Sequence, residues 1–322
     1  MKIVLIDGNA ILHRAFHALP PLTTTKGELV NAVYGFTLMI LKVVEDFHPE
    51  GLVVCFDRPK PTFRQAIFVG YQAKRPKMDE GLVSQIGKVH EVVEAMQVPI
   101  FEKDGFEADD LLGTLSLQAV GGPNRKKHKA KSRTNNQAID VIIVTGDRDI
   151  LQLVDAHTSV YMPVKGLSEA KLFGEKEVEE KFGIKSSQVI DYKALTGDSS
   201  DNYGGVNGIG PKTASSLLQK YQTLDNIYKN LERLPQAVAL KLKDGKHSAY
   251  LARKLATIVR NVPVRLKIEE ATTNDFGSER LINLLSDFEF HSLLKRLPGY
   301  QKAEKPAKKN KNEISKDQME LF

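Results

Sequence analysis

Three short apolar runs of this 322-residue chain end in aspartate. Ile3–Ile6 leads into Asp7, Leu52–Phe56 into Asp57, and Val141–Val144 through Thr145-Gly146 into Asp147 and Asp149. A fourth run, Val98–Phe101, is followed after a short loop by Glu107, Asp109 and Asp110, which open a helix. Asp198 and Asp201 add a pair within Gly197-Asp-Ser-Ser-Asp201-Asn202. Taken singly, each group has a structural reading. Acids in a first helical turn suit the dipole, Asp147-Arg148-Asp149 can cap a helix, and residues 197–202 can be a polar turn. The conjunction is different, because so many converging carboxylates force at least one to take up a proton unless a counter-charge is supplied. Hard divalent cations supply it, and oxygen ligation without His or Cys selects Mg²⁺ or Mn²⁺ over zinc. An acidic cage for two such ions is the machinery for attack of water on a phosphodiester.

Competing phosphate chemistries are disfavoured. An aspartyl-phosphate enzyme wants a second aspartate two residues after the nucleophile, whereas Asp7 is followed by Gly8-Asn9. No G-x-x-x-x-G-K-[ST] loop occurs, and the Gly205–Gly210 run does not follow a strand, which speaks against a dinucleotide fingerprint. That run continues into Pro211-Lys212-Thr213-Ala214. Gly208 and Gly210 let a backbone approach closely, Pro211 suits a first helical position, and the helix start with Lys212 and Thr213 aims N–H groups at an anion. Helix–hairpin–helix elements grip a nucleic-acid backbone in this way; the alternative is a helical joint packed in the core. Between Arg58 and Met96, Lys60, Arg64, Lys74, Arg75, Lys77 and Lys88 interleave with Phe63, Phe68 and Tyr71. Basic residues can track phosphates while rings such as Tyr71 stack on bases; the alternative is a solvated helix face. Arg14, on the helix after Asp7, is a further phosphate contact, whereas His13 and His17 read as packing or surface residues.

The elements that must position these residues follow from periodicity. The four runs are β-branched, apolar and bounded by polar or turn residues, as buried strands are. Amphipathic stretches lie between them at Val30–Phe47, Gly81–Met96 and Asp109–Ala119. Such alternation predicts an α/β fold, a mostly parallel central sheet with helices on both faces, with the acids at the carboxyl ends of the strands. After about residue 185 the pattern becomes helical, at Ser187–Leu195, Lys212–Tyr221, Thr223–Asn230 and Ala249–Val259, which predicts a smaller all-helical domain over 186–300. From Gln301 the chain is Lys-rich and nearly devoid of apolar residues, the composition of a disordered tail.

Composition narrows the class. The chain is 41% hydrophobic and 27% charged, with net charge +6 and one cysteine. One cysteine excludes a disulfide scaffold and a multi-cysteine zinc site. Neither a signal peptide nor a membrane span is legible, so a cytoplasmic protein is expected. Residues 121–138 hold Arg125, Lys126, Lys127, Lys129, Lys131 and Arg133 and no acid; without these six, the 46 basic residues fall to 40, equal to the acids. The basic balance therefore belongs to one insertion and says little by itself about a nucleic-acid partner.

Together the motifs IDGNAILHRAFHALPPL (6–22), VCFDRPKPTFR (54–64), GFEADDLLGTL (105–115), VTGDRDILQLV (144–154) and LTGDSSDNYGGVNGIGPKTA (195–214) resemble the 5′-nuclease family, the 5′→3′ exonuclease domain of bacterial DNA polymerase I and its flap-endonuclease relatives. The resemblance covers about 1–120 and 139–297. It implies a PIN-like catalytic domain over 1–185 with a helical arch at about 60–98, and a helix–three-turn–helix DNA-binding domain. It implies a first metal site of Asp7, Asp57, Glu107, Asp109 and Asp110 and a second of Asp147, Asp149, Asp198 and Asp201. Arg14, Lys74 and Arg75 would steady phosphates, Arg64, Tyr71, Gly208, Gly210, Lys212 and Thr213 would contact DNA, and the glycine turn would match one that holds K⁺ in some relatives. The expected activity is structure-selective cleavage of DNA flaps, nicks or primer ends. The rivals are a nuclease acting mainly on RNA primers and a non-catalytic binder of branched DNA.

Three departures stand out. Relatives often carry Tyr-Lys where this chain has Tyr71-Gln72, with Lys74 two residues on as the substitute. The insertion 121–138 has no counterpart in the family pattern. No polymerase domain follows, so a stand-alone nuclease is expected. At the end of the chain, Gln318, Leu321 and Phe322 in Gln-Met-Glu-Leu-Phe resemble the short motif by which bacterial replication proteins bind the β sliding clamp.

Overall fold

The computed structural model describes residues 1–121, 138–166, 169–272, 274–297 and 300. The runs ending in aspartate form strands β1 (Lys2–Asp7), β2 (Gly51–Cys55), β3 (Ile100–Phe101) and β4 (Asp140–Val144), followed by β5 (Thr158–Lys165) and β6 (Glu169–Phe173). Their order is β3-β2-β1-β4-β5-β6, parallel throughout except for antiparallel β6. β1 lies at the centre, with Leu5 opposite both Val53 and Ile143. Because side chains alternate across a strand, β1 feeds two cores. Ile3 and Leu5 pack with Leu111, Leu112 and Leu115 on one face, and Val4 and Ile6 pack with Phe36, Ile40 and Val89 on the other.

Helices cover both faces: α1 (Gly8–Ala18), α2 (Asn31–Phe47), α3 (Phe63–Ile67), α4 (Glu80–Ala95), α5 (Ala108–Ala119) and α6 (Glu175–Phe182). Then come α7 (Val189–Thr196), a short antiparallel pair β7 (Gly197–Asp198) and β8 (Tyr203–Gly204), α8 (Pro211–Tyr221) and α9 (Leu224–Lys229). The series ends with α10 (Gln236–Asp244), α11 (Lys246–Ala256), α12 (Ile268–Ala271), α13 (Glu279–Asp287) and α14 (His291–Leu294).

Three expectations are corrected here. The arch at 60–98 is too long, because α4 belongs to the body. Leu82, Val89, Val92 and Val93 are buried in the core, and the Gln85 side chain accepts the Ala32 N–H at 2.8 Å. Only the segment before it, around α3 and the turns at 69–75, stands over the acids. The region 186–300 is not wholly helical, since it contains β7 and β8. Nor does it end as a separate unit: Phe276, Leu281, Leu285, Phe288 and Phe290 return to pack beside α2 and α4. The insertion, between Gly121 and Ala138, and the tail with Gln318, Leu321 and Phe322 lie outside the described residues. The Met1 ammonium donates to the Ala138 carbonyl at 3.1 Å, which puts the insertion's end at the amino side of the sheet, away from the acids.

Candidate metal centre

Parallel pairing sets the ends of β1, β2 and β4 side by side, and this delivers the aspartates to one edge. Asp7 caps α1, its Oδ1 accepting the Ala10 N–H at 3.0 Å, while Oδ2 accepts the Thr145 hydroxyl at 2.6 Å. Asp57 Oδ1 accepts the Ala108 N–H at the start of α5, at 2.6 Å. Asp147 is fixed by its N–H on Thr145 Oγ1 and by Oδ1 accepting the Asp149 N–H. A cavity of about 970 Å³ opens onto Asp7, Asp57, Glu107, Asp109, Asp147 and Asp201. Asp149, Asp198 and Asp201 bring carboxylate oxygens within 4.8 Å of one another.

The loop that carries Asp198 and Asp201 depends on a close backbone crossing. Gly197 has φ +72, and a Cβ there would lie 2.4 Å from the Gly205 nitrogen, so no larger residue fits.

Burial dominates the electrostatics. It pushes Asp7 up to about 7, with Asp57 and Asp147 adding to the rise against the bonds from Thr145 and Ala10. It raises Glu107 to about 6 against the pull of Arg64. Asp109 rises well above the carboxylate range through burial and the charges of Asp147 and Asp7. Burial and Asp147 bring Asp149 to about 7, although Lys193 opposes them. Asp198 moves the other way, because bonds from Lys193 and Ser200 outweigh its burial. An oxygen-only group of crowded acids held above their ordinary range fits a hard divalent cation.

Several expected residues sit elsewhere or do something different. Asp110 is fully buried, and both its oxygens are held at 2.8 Å by the guanidinium of Arg64. Arg64 is itself 2% exposed and donates further to the carbonyls of Leu255 and Thr257. Asp110 as a metal ligand and Arg64 as a DNA contact are therefore corrected: together they form an internal ion pair joining α3, α5 and the end of α11. Tyr71, expected to stack on bases, is 4% exposed, and its hydroxyl bonds Glu107 at 3.1 Å and Asp201 at 3.2 Å. It orients acids.

Arg75 lines the cavity and places Nη2 2.6 Å from Asp201 Oδ1. Gln72 donates to the same oxygen at 3.2 Å. Lys74 is exposed and does not line the cavity. Arg75, not Lys74, is the cation that reaches Asp201 beside Gln72. Arg14 donates to the Gly166 carbonyl at 2.8 Å and lines a neighbouring cleft of about 690 Å³ with His13, His17 and Asp147. His13 borders both cavities, which its sequence reading as packing or surface did not foresee. Gly208, Gly210 and Lys212 are exposed at the start of α8, and the Gly208 carbonyl accepts Lys241 Nζ at 3.2 Å. Sequence reasoning missed Lys193, whose ammonium bridges Asp149 and Asp198; its place four residues before Gly197-Asp198 was the only cue.

Residues 2–183 match the 5′-3′ exonuclease N-terminal resolvase-like domain, and residues 184–279 match the 5′-3′ exonuclease C-terminal SAM fold. The chain belongs to the 5′-3′ exonuclease family. It is 41% identical over 299 residues to the DNA polymerase I of Caldicellulosiruptor bescii, covering 92% of this chain and 33% of that protein. It is 34% identical over 297 residues to that of Bacillus subtilis, covering 92% and 32%. The chain thus spans about a third of the length of the polymerases it matches. In fold it is similar to the 5′-exonuclease of bacteriophage T5 with zinc ions bound, at TM-score 0.64 and 18% identity, over 90% of this chain and 99% of that one. It is likewise similar to the T5 flap endonuclease in a pseudo-enzyme–product complex with DNA and metal ions, at TM-score 0.62 and 17% identity, over 92% and 96%. Within this exonuclease family fold, the shared sheet edge is what brings the acids together.

Proposed function

We propose that this chain is a structure-selective 5′→3′ exonuclease and flap endonuclease that hydrolyses DNA phosphodiesters with two Mg²⁺ ions, Mn²⁺ substituting. The observation that carries this reading is the convergence of Asp7, Asp57, Glu107, Asp109, Asp147 and Asp201 on one cavity. Asp7, Asp57, Glu107 and Asp109 would hold the first ion, and Asp147, Asp149, Asp198 and Asp201 the second. Such ions activate water and stabilise the charge that develops at phosphorus. The chain's own residues do the rest. Thr145 and the starts of α1 and α5 fix the aspartates in place, Tyr71 orients Glu107 and Asp201, and Arg75 brings a guanidinium to the cavity wall for a phosphate. Arg14 serves a phosphate in the adjoining cleft.

Residues 1–185 act as the catalytic region, and 186–300 as the DNA-gripping region. In the latter the exposed turn from Gly208 to Thr213 offers N–H groups to the backbone of a duplex. A K⁺ ion at this turn would lie near Lys241, whose ammonium already donates to the Gly208 carbonyl. Gln318, Leu321 and Phe322 serve a β sliding clamp, so that the tail tethers the nuclease beside DNA and raises its local concentration.

The test is cleavage of a 5′-labelled flap in Mg²⁺ and in EDTA, with single-stranded and RNA-primed versions alongside. Mg²⁺-dependent release from the DNA flap is expected. A flap that is bound and left intact in both Mg²⁺ and Mn²⁺ would replace this reading with that of a branched-DNA binder.

A further inference from the structure

The two groups of acids differ in what the chain already places against them. Among the described residues, no lysine or arginine forms an ion pair with Asp7, Asp57 or Asp109 of the first group, and Glu107 has only Arg64 Nη1, at 3.5 Å. In the second group Asp149, Asp198 and Asp201 each have one, and Asp147 does not. Lys193 Nζ lies 2.5 Å from Asp149 Oδ1 and also contacts Asp198 Oδ2, with only 18% of its side chain exposed. Arg75 takes Asp201. The ammonium therefore stands among oxygens that lie within 4.8 Å of one another, a space too small for a second cation beside it without strong repulsion.

We propose that Lys193 is an internal counterion of the second carboxylate group, which a divalent ion must displace in order to bind, so that Lys193 sets the affinity of that site. The inference rests on the reading that these carboxylates hold a divalent ion. Room for the displacement exists. A cavity of about 470 Å³ lies alongside, lined by Lys193, Asp198, Tyr192, Thr196 and Arg148, and a four-carbon stem lets an ammonium withdraw by rotation. The ion that enters is then bound only by the difference between its attraction to the carboxylates and that of the ammonium it replaces. Asp7, Asp57 and Asp109 of the first group ask for no such exchange, so the two sites differ in affinity although both are built from carboxylates.

The experiment is a Mn²⁺ titration of the full chain without DNA, followed by calorimetry and by the electron-spin signal of free Mn²⁺. The wild type is expected to show one tight and one weak site. Lys193→Met should tighten the weak site by on the order of tenfold and leave the tight one within about twofold, while Lys193→Arg keeps the weak site weak. Lys193→Gln is the second neutral replacement, read in place of Met where circular dichroism shows that Met does not fold. With either neutral variant, Mn²⁺ should raise the melting temperature more than it does in the wild type. A weak site unchanged or weakened in the neutral variants overturns the role of Lys193 while leaving the metal reading intact. Two equally tight sites in the wild type do the same. A wild type that binds no Mn²⁺ overturns both.

Discussion

The acids around Asp7 and those around Asp198 share a cavity edge and differ in their partners. Asp7 and Asp57 are held by neutral donors, namely the Thr145 hydroxyl and the N–H groups of Ala10 and Ala108. Asp198 and Asp201 are held by Lys193 and Arg75. Neutral donors orient a carboxylate and leave its charge uncompensated, so the first group is poised for a cation from outside. A charged donor compensates as well as orients, so Asp198 and Asp201 are balanced without one. A sequence of aspartates does not distinguish these states; the residues packed against them do.

The largest effect that would break the comparison comes from removing one uncompensated acid. Asp57→Ala or Asp147→Ala should lower flap cleavage by on the order of a thousandfold or more, because on the proposed reading each removes a ligand of the two metal ions. Binding of the flap should stay within a few-fold, since phosphate contacts are distributed over many residues. Single-turnover cleavage and a binding titration on the same preparations check both parts, and wild-type cleavage in either variant would sink the assignment.

A third pair sharpens the contrast by lying outside both groups. Arg64 and Asp110 are bidentate and almost wholly buried. Breaking such a pair leaves an uncompensated charge, and Arg64→Ala should cost about 3 kcal/mol or more of stability, visible in denaturant unfolding. The number of Mn²⁺ ions bound should not change in Asp110→Asn. Loss of an ion there would return Asp110 to the metal site.

pH acts on both groups in the metal-free protein. Asp7 and Asp149 stand at about 7 and Glu107 at about 6, all raised by burial. For a raised carboxylate, the folded state holds its proton longer than the unfolded chain does. Its contribution to stability is complete below about pH 4 and is lost as pH rises through the folded value. The melting temperature without metal should therefore fall by several degrees between about pH 5 and 8, and millimolar Mg²⁺ should flatten the curve. Asp198, lowered by Lys193 and Ser200, acts in the opposite sense and only at acid pH. A metal-free stability that rises from pH 5 to 8 would contradict this account.

Much of this arrangement was legible in the sequence. The four apolar runs became β1 to β4 within a residue or two at their ends, because β-branched residues buried on both faces leave little ambiguity. β5 was not seen: Pro163 interrupts Thr158–Lys165, and proline argues against an interior strand. The structure accommodates it at a shift of register between Pro163 and Lys165. Asp7, Asp57, Glu107, Asp109, Asp147, Asp149, Asp198 and Asp201 were legible as acids at strand ends or in one loop. What escaped was pairing. Asp110 looks like its neighbour Asp109 in sequence, and only the turn of α5 points one to Arg64 and the other to the cavity. Lys193 on α7 has the spacing of an ordinary surface lysine, and no local pattern reveals Asp149 across from it. The return of Phe276 to Phe290 onto α2 and α4 is likewise a tertiary fact without a local signature.

The smallest expected effect concerns the cations that follow Gln72, whose amide contacts Asp201. Gln72 has φ 56, and its N–H donates to the Asp201 carbonyl at 2.9 Å, so the backbone here is tied to the loop of the second group. Its amide reaches the same Asp201 oxygen as Arg75. An arginine three residues on thus takes the carboxylate contact that an ammonium at 72 would compete for, while Lys74 is exposed and does not line the cavity. Lys74→Ala should change cleavage by no more than about threefold, the scale of one screened surface charge. Arg75→Ala should lower it by roughly tenfold or more, because it removes a charge-assisted contact at the cavity wall. Gln72→Lys should fall between these limits and should rescue part of the loss in Arg75→Ala, since either cation can serve the same oxygen. Cleavage rates of the three single variants and of the double variant form the cycle that decides this. Equal losses in Lys74→Ala and Arg75→Ala, or no rescue in the double variant, would show that the compensation at Asp201 lies with neither residue alone.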